Sequence, residues 1–162
     1  MIRGRETTKR RSGVTLVESA ICIGAAIFFM LVIFEYGRFF MMRHLVENAA
    51  RDGARLAVVN TNTGMTTAQI QNYAFGLLAN QSLLNSTGSG ALQATDIQVF
   101  RADPYTGLAM TDSKGSTWSS ASFGEGICVK INAMYDPFVP GASHLGDPVP
   151  VNVTSLMLSE GN

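Results

Sequence analysis

The sequence predicts an α+β fold: one long N-terminal helix, a short second helix and an antiparallel sheet of three or four strands. Two observations predict it. From Val14 to Val59 no proline interrupts a helical pattern, and from Asp96 onward the period of the apolar residues changes from about 3.6 to two. A third observation divides the long helix. Its first half is apolar on every side and its second half is amphipathic.

Val14 to Phe34 is 21 residues with one charge, Glu18. At about 1.5 Å rise per residue this is roughly 31 Å of helix, close to the ~30 Å hydrocarbon core of a bilayer. The run Ile21 to Phe34, ICIGAAIFFMLVIF, has no polar face to offer water, so a membrane span is expected over residues 14–35. Residues 1–13 precede it with Arg3, Arg5, Lys9, Arg10 and Arg11 against Glu6. A basic flank holds its side of a span in the cytoplasm, which places residues 36–162 outside the membrane. The chain is neutral overall, but residues 14–162 keep seven bases and eleven acids, net −4. A nucleic-acid-binding surface is therefore not expected. No Ala-x-Ala cleavage site follows the apolar run, so the span is expected to be retained rather than removed as a signal peptide.

The second half of the helix carries Phe39, Met42, Val46, Ala49, Ala50, Gly53 and Ala57 at three- and four-residue spacing. Small residues at 49, 53 and 57 admit close approach of another backbone. The chain's own sheet is the expected partner, with a helix of another subunit as the other choice. Arg43, Glu47, Arg51 and Arg55 form the opposite, solvated face, where Glu47 can pair one turn away in either direction. Glu35 and Arg38 fall where the helix leaves the bilayer, with Tyr36 and Phe39 at interfacial depth, an anchoring arrangement.

Asn60 to Gly64 ends the helix in residues suited to left-handed turns. Thr66 or Thr67 can cap a second helix over residues 67–80, whose Ile70, Tyr73/Ala74 and Leu77/Leu78 keep helical spacing. Ser82 to Gly90 reads as a polar loop. Strands are expected over about 96–101, 126–135 and 149–158, with Pro150 placing the last at an edge or delaying its start. Between the first two strands, 102–125 reads as a long exposed connection with a short hairpin around Asp112–Gly115. Its Tyr105, Trp118 and Phe123 either close over the sheet edge or form an adhesive or subunit-contact surface.

Chemistry is sparse. His44 lies beside Arg43 on the helix surface and His144 in a Gly/Pro-rich loop, and no His/Cys/carboxylate group has metal-ligand spacing. There is no phosphate-binding glycine loop and no nucleophile elbow. Cys22 in the span and Cys128 in a strand are placed too far apart to bridge within one chain. Asn85-Ser86-Thr87 and Asn152-Val153-Thr154 have the form of glycan sequons. No enzyme, cofactor or metal is expected.

Arg10-Arg11-Ser12-Gly13, then Val14-Thr15-Leu16-Val17-Glu18, then an apolar run, resembles the type IV prepilin signal. In that family a membrane aspartic peptidase cuts after the glycine, so the resemblance implies a scissile bond between Gly13 and Val14. It also implies that Glu18 pairs with the new amine of a neighbouring subunit. Phe34-Glu35-Tyr36-Gly37-Arg38, followed by Ala49-Ala50-Arg51-Asp52-Gly53-Ala54-Arg55, resembles TadE-like proteins, which are pseudopilins or minor pilins of the tight-adherence (Flp, type IVc) pilus system. Ser19 departs from that pattern, since Flp-type signals place an aromatic residue directly after the glutamate. The resemblance covers residues 10–59 by motif and the rest by its pilin-like layout alone. It implies a bacterial inner-membrane protein whose partners are a prepilin peptidase, other pilins or pseudopilins, the secretion platform of the pilus and the lipid bilayer. An unprocessed single-pass anchor displaying a small binding domain at the cell surface is the alternative function.

Overall fold

A computed structural model describes residues 12–79, 91–137 and 148–160. Helix α1 spans Ser12–Val59 and helix α2 spans Thr67–Ala79; strands β1 (Ile97–Ala102), β2 (Gly126–Tyr135) and β3 (Val149–Leu158) complete the α+β architecture. The residues 1–11, the polar loop at 82–90 and His144 lie outside the described residues.

Helix α1 runs unbroken for 48 residues because nothing in it removes a backbone donor. Its end is well satisfied. The Asn60 side-chain amide donates to the Leu56 carbonyl at 2.8 Å and the Thr61 hydroxyl to the Val58 carbonyl at 2.7 Å. The Val58 carbonyl is one that a helix end leaves without a backbone partner, and the Leu56 carbonyl also accepts the Asn60 N–H at 3.2 Å. The chain then reverses through Gly64, whose φ of 75° is left-handed. Thr66, of the two threonines, caps α2. Its hydroxyl accepts from the Gln69 N–H at 3.4 Å, and the Gln69 side chain accepts from the Thr66 N–H at 2.8 Å, a reciprocal capping box.

The sheet has the order β1-β2-β3 and is antiparallel throughout, with β2 central. Side chains alternate between its faces. One face of β2, from Ile127 through Val129, Ile131 and Ala133 to Tyr135, packs under the helices. Against it lie Met42, Val46, Ala49, Ala50 and Ala54 of α1, in one core with Ala74 and Leu78 of α2, Ile97 of β1 and Val151 of β3. A second cluster joins Ala57, Ile70, Trp118 and Ile127. The stripe of small residues thus serves the chain's own core. A Cβ added at Gly53 would lie 3.4 Å from the Ala74 Cβ and 3.6 Å from Val129, so glycine there lets α1 sit close to both α2 and the sheet.

These contacts give the unit a direction. Ile127 clusters with Ala57, near the end of α1, whereas Tyr135 meets Phe39 eighteen residues earlier, ring centroids 5.5 Å apart. Strand β2 therefore runs back down α1 and β3 runs up again. Tyr135 and Val149 pair at the sheet's base; Gly126 and Leu158 pair at its far end.

The long connection differs from the sequence expectation. Asp112–Gly115 forms a turn, with the Gly115 N–H donating to the Asp112 carbonyl at 2.9 Å, but the hairpin-like bridge is Ala102 to Ala109, around Asp103–Gly107. Asp103 makes that turn: its carboxylate accepts the Tyr105 and Thr106 N–H groups at 2.9 and 2.8 Å. Those bonds favour the charged form and hold the carboxyl below its ordinary pKa. Nor is the connection wholly exposed. Trp118 is fully buried and donates its indole N–H to the Thr67 hydroxyl at 3.0 Å, whereas Tyr105 and Phe123 face outward. Strand β1 also begins one residue later than expected, because Asp96 closes a 3-10 turn by accepting the Gln93 N–H at 2.8 Å.

Candidate functional site on the first helix

Every residue from Gly13 to Phe34 is exposed. Among the described residues, α1 is the one helix long and apolar enough to cross a membrane, and its apolar window has no contact with the core. The described residues therefore supply no apolar surface to cover it, and the hydrophobic effect favours covering it with another apolar phase.

At the start of this run, Gly13 lies within α1. Its φ is not left-handed, and an added Cβ would meet nothing within 4 Å. It is the second residue of the helix, and no neighbour among the described residues requires a glycine there. Val14 and Glu18 are exposed one helical turn apart, on one face. Ser19 turns its hydroxyl back onto the Thr15 carbonyl at 2.7 Å, which meets its polar need within the helix.

Some 17 residues on, the E-x-G-R motif meets the sheet. The Tyr135 hydroxyl donates to the Glu35 carboxylate, with the Glu35 carbonyl 3.4 Å away. Arg38 lies 3.6 Å from the same carboxylate, and its guanidinium carbon is 5.9 Å from the centre of the Tyr135 ring. Glu35 and Arg38 are thus half-buried against the base of β2, in addition to standing where the apolar run ends. Burial, with the Glu35 carboxylate next to it, pushes the Tyr135 hydroxyl up to about 12. Gly37, on the open side, has no neighbour within 4 Å of an added Cβ.

The stability carried by this tyrosine is present below its unfolded pKa near 10 and is lost as pH rises through 10 toward 12. Tyr135→Phe is therefore expected to lower stability by about 1.5–3 kcal/mol at pH 7, since a half-buried carboxylate loses a hydrogen bond. It should also flatten the decline above pH 10. Denaturant titrations of the detergent-solubilised chain at pH 7 and pH 11 check both.

The A-A-R-x-G-A-R motif divides by face. Ala50, Gly53 and Ala54 are buried in the core, while Arg51 and Arg55 are exposed. Arg51 bonds to Glu47 at 2.6 Å, and His44 lies 3.9 Å from Glu47 on its other side. The structure thus distributes the residues singled out in sequence along α1 rather than gathering them. Gly13, Val14 and Glu18 stand at one end, Glu35, Gly37 and Arg38 at the domain junction, and Ala50 to Arg55 under the sheet.

Two partners escaped the sequence. Tyr135 lies a hundred residues from Glu35 and nothing local marks it. Arg101 is fully buried in β1, bonded to Asp112 and 3.5 Å from Glu125. Its signal was present: strict alternation puts residue 101 on the face of Ile97 and Val99.

The described residues hold no group of three His, Cys, Asp or Glu able to bind a metal ion. Both cysteines are free. Cys22 is exposed and Cys128 buried, where desolvation pushes its thiol up to about 11. No curated protein and no solved structure matches the chain. Residues 13–55 match the model of a family described as TadE-like protein. That match begins at Gly13, takes in the exposed apolar run and the E-x-G-R junction, and closes on Arg55, so the chain carries a TadE-like segment through most of its first helix.

Proposed function

We propose that this chain is a membrane-anchored pseudopilin or minor pilin that takes part in assembling a tight-adherence pilus. The observation that carries the reading is the apolar half of α1. It is 21 residues long, stands clear of the domain, and falls inside the TadE-like segment. Residues 1–13 act as a cytoplasmic leader, residues 14–35 span the bacterial inner membrane, and residues 36–162 stand on its outer side. A prepilin peptidase cuts between Gly13 and Val14.

Once cut, Val14 carries a free amine at the head of an apolar helix. Glu18 of a neighbouring pilin or pseudopilin supplies the opposite charge. In low dielectric such a pair attracts far more strongly than in water, and a carboxylate left unpaired within a helix bundle is strongly disfavoured. The pair therefore sets the axial register between subunits. The remaining partners are the pilus secretion platform and the bilayer that holds the chain before assembly.

Glu18→Gln tests the pairing. The variant should reach the membrane in normal amount, since its exposed side chain supports nothing in the fold, yet restore pili poorly or not at all in a strain lacking the wild-type chain. Pili restored to wild-type levels by Glu18→Gln would mean that the carboxylate has no assembly role, as for a simple surface anchor.

A further inference from the structure

The Glu35–Tyr135 contact sets the height of the sheet's base. Glu35 is the first residue after the unbroken apolar run, and the Tyr135 hydroxyl bonds to it. The end of β2 is therefore level with the point where α1 leaves its apolar surroundings. Tyr135 pairs with Val149 and Met134 with Pro150, so the start of β3 lies at the same height.

The exposed side chains at that level are apolar. Met134 is 40% exposed and Val149 42%, and Pro150 is also exposed. On the helix, Tyr36 is 62% exposed and Phe40 37%, their rings in edge contact at 4.6 Å. One step up the outer face the character changes. The next pair on that face is Asn132 with Asn152, and the one after is Lys130 with Thr154. At about 3.3 Å per residue, the change from apolar to amide occurs within roughly 7 Å of the base. The described charges there are Glu35, Arg38 and the exposed Asp136, net −1, so among the described residues the contact is apolar and is not a basic patch for anionic lipid.

We propose that the base of the sheet rests in the headgroup layer of the membrane that α1 spans, with Met134, Val149 and Pro150 on the sheet and Tyr36 and Phe40 on the helix forming one interfacial contact. The occupant follows from continuity: the patch adjoins the apolar run at the height where that run ends. Aromatic and apolar side chains with polar groups just above them match the interfacial layer of a bilayer. Glu35, Tyr135 and Arg38 hold the sheet at that depth. The inference rests on the membrane reading of α1.

The test uses the full chain, one copy per phosphatidylcholine nanodisc, with Cys22→Ala and with Cys128 fully buried, so that an environment-sensitive fluorophore reacts at one introduced cysteine. The sites are Val149→Cys at the base, Ile27→Cys within the apolar run and Tyr105→Cys at the far end. The readout is quenching by nitroxide-carrying lipid, labelled near the headgroup for sites 149 and 105 and in the middle of the acyl chain for site 27. Quenching at 149 and 27, with none at 105, is the expected result. Quenching at 27 with none at 149 overturns the docking and leaves the span intact. No quenching at 27 overturns the membrane reading itself, and the docking with it. Quenching at 149 that appears only when phosphatidylglycerol is added overturns the apolar character of the contact.

Discussion

Trp118→Ala should cost the domain about 3–5 kcal/mol, the range for removing a large buried aromatic side chain. Trp118 is the largest fully buried side chain and lies in a 3-10 turn, Trp118–Ser120, with no strand or long helix to hold it. It fills the space among Ala57, Ile70 and Ile127, and its indole N–H bonds to Thr67, the first residue of α2. Its loss therefore opens a cavity, frees the connection between β1 and β2, and leaves a hydroxyl at the start of α2 without its donor. Domains of this size have total stabilities of about 5–15 kcal/mol, so the variant should be near its unfolding midpoint under mild denaturant. Urea titration by circular dichroism measures the loss. Hydrogen exchange should show α2 protected less than the central strand β2.

The second large effect concerns charge. Arg101 is fully buried, and its guanidinium faces Asp112, 44% exposed, and Glu125, 21% exposed. The carboxylates lie in the connection and the cation in the sheet, so the pairs tie the two together. The backbone makes the same tie: the Arg101 N–H donates to the Ser116 carbonyl at 2.8 Å, and its carbonyl accepts from the Met110 N–H at 3.0 Å. Asp112→Asn with Glu125→Gln leaves a buried cation without compensation. Removing the partners of a buried charge costs about 3–5 kcal/mol. The exposure of Asp112 puts this double variant near the lower end, about 3 kcal/mol. Adding Arg101→Leu should recover most of it, because the buried charge is then gone. Chemical denaturation of the double and triple variants checks the order; a triple variant less stable than the double would contradict this role for the charge.

The contrast between α1 and the connection shows what a sequence discloses. The stripe Met42, Val46, Ala49, Ala50, Gly53 and Ala57 is buried as its spacing predicts, because helical periodicity is a local property that many residues repeat. The bounds of β2 and β3 follow for the same reason, through alternation and flanking proline and glycine. Trp118 has no such repetition around it: a single aromatic residue in a polar run is compatible with burial or exposure, and only the closure of 102–125 onto α2 decides it. Tyr105 and Phe123, in the same connection, go the other way. The Glu35–Tyr135 contact joins elements a hundred residues apart, and no local pattern encodes such a pair. The E-x-G-R motif is therefore legible in the sequence as a resemblance, but its contact with the sheet is not. Gly13, Val14 and Glu18 are a different case. The roles proposed for them involve a cut and a second subunit, and one folded chain offers only their exposure.

The proposed function makes this chain a prepilin-class membrane protein, matured by cleavage. The most direct measurement is the intact mass and N-terminal sequence of the chain after co-expression with and without its prepilin peptidase. A chain that begins at Val14 only when the peptidase is present is the expected result. A leader retained in both preparations would contradict it.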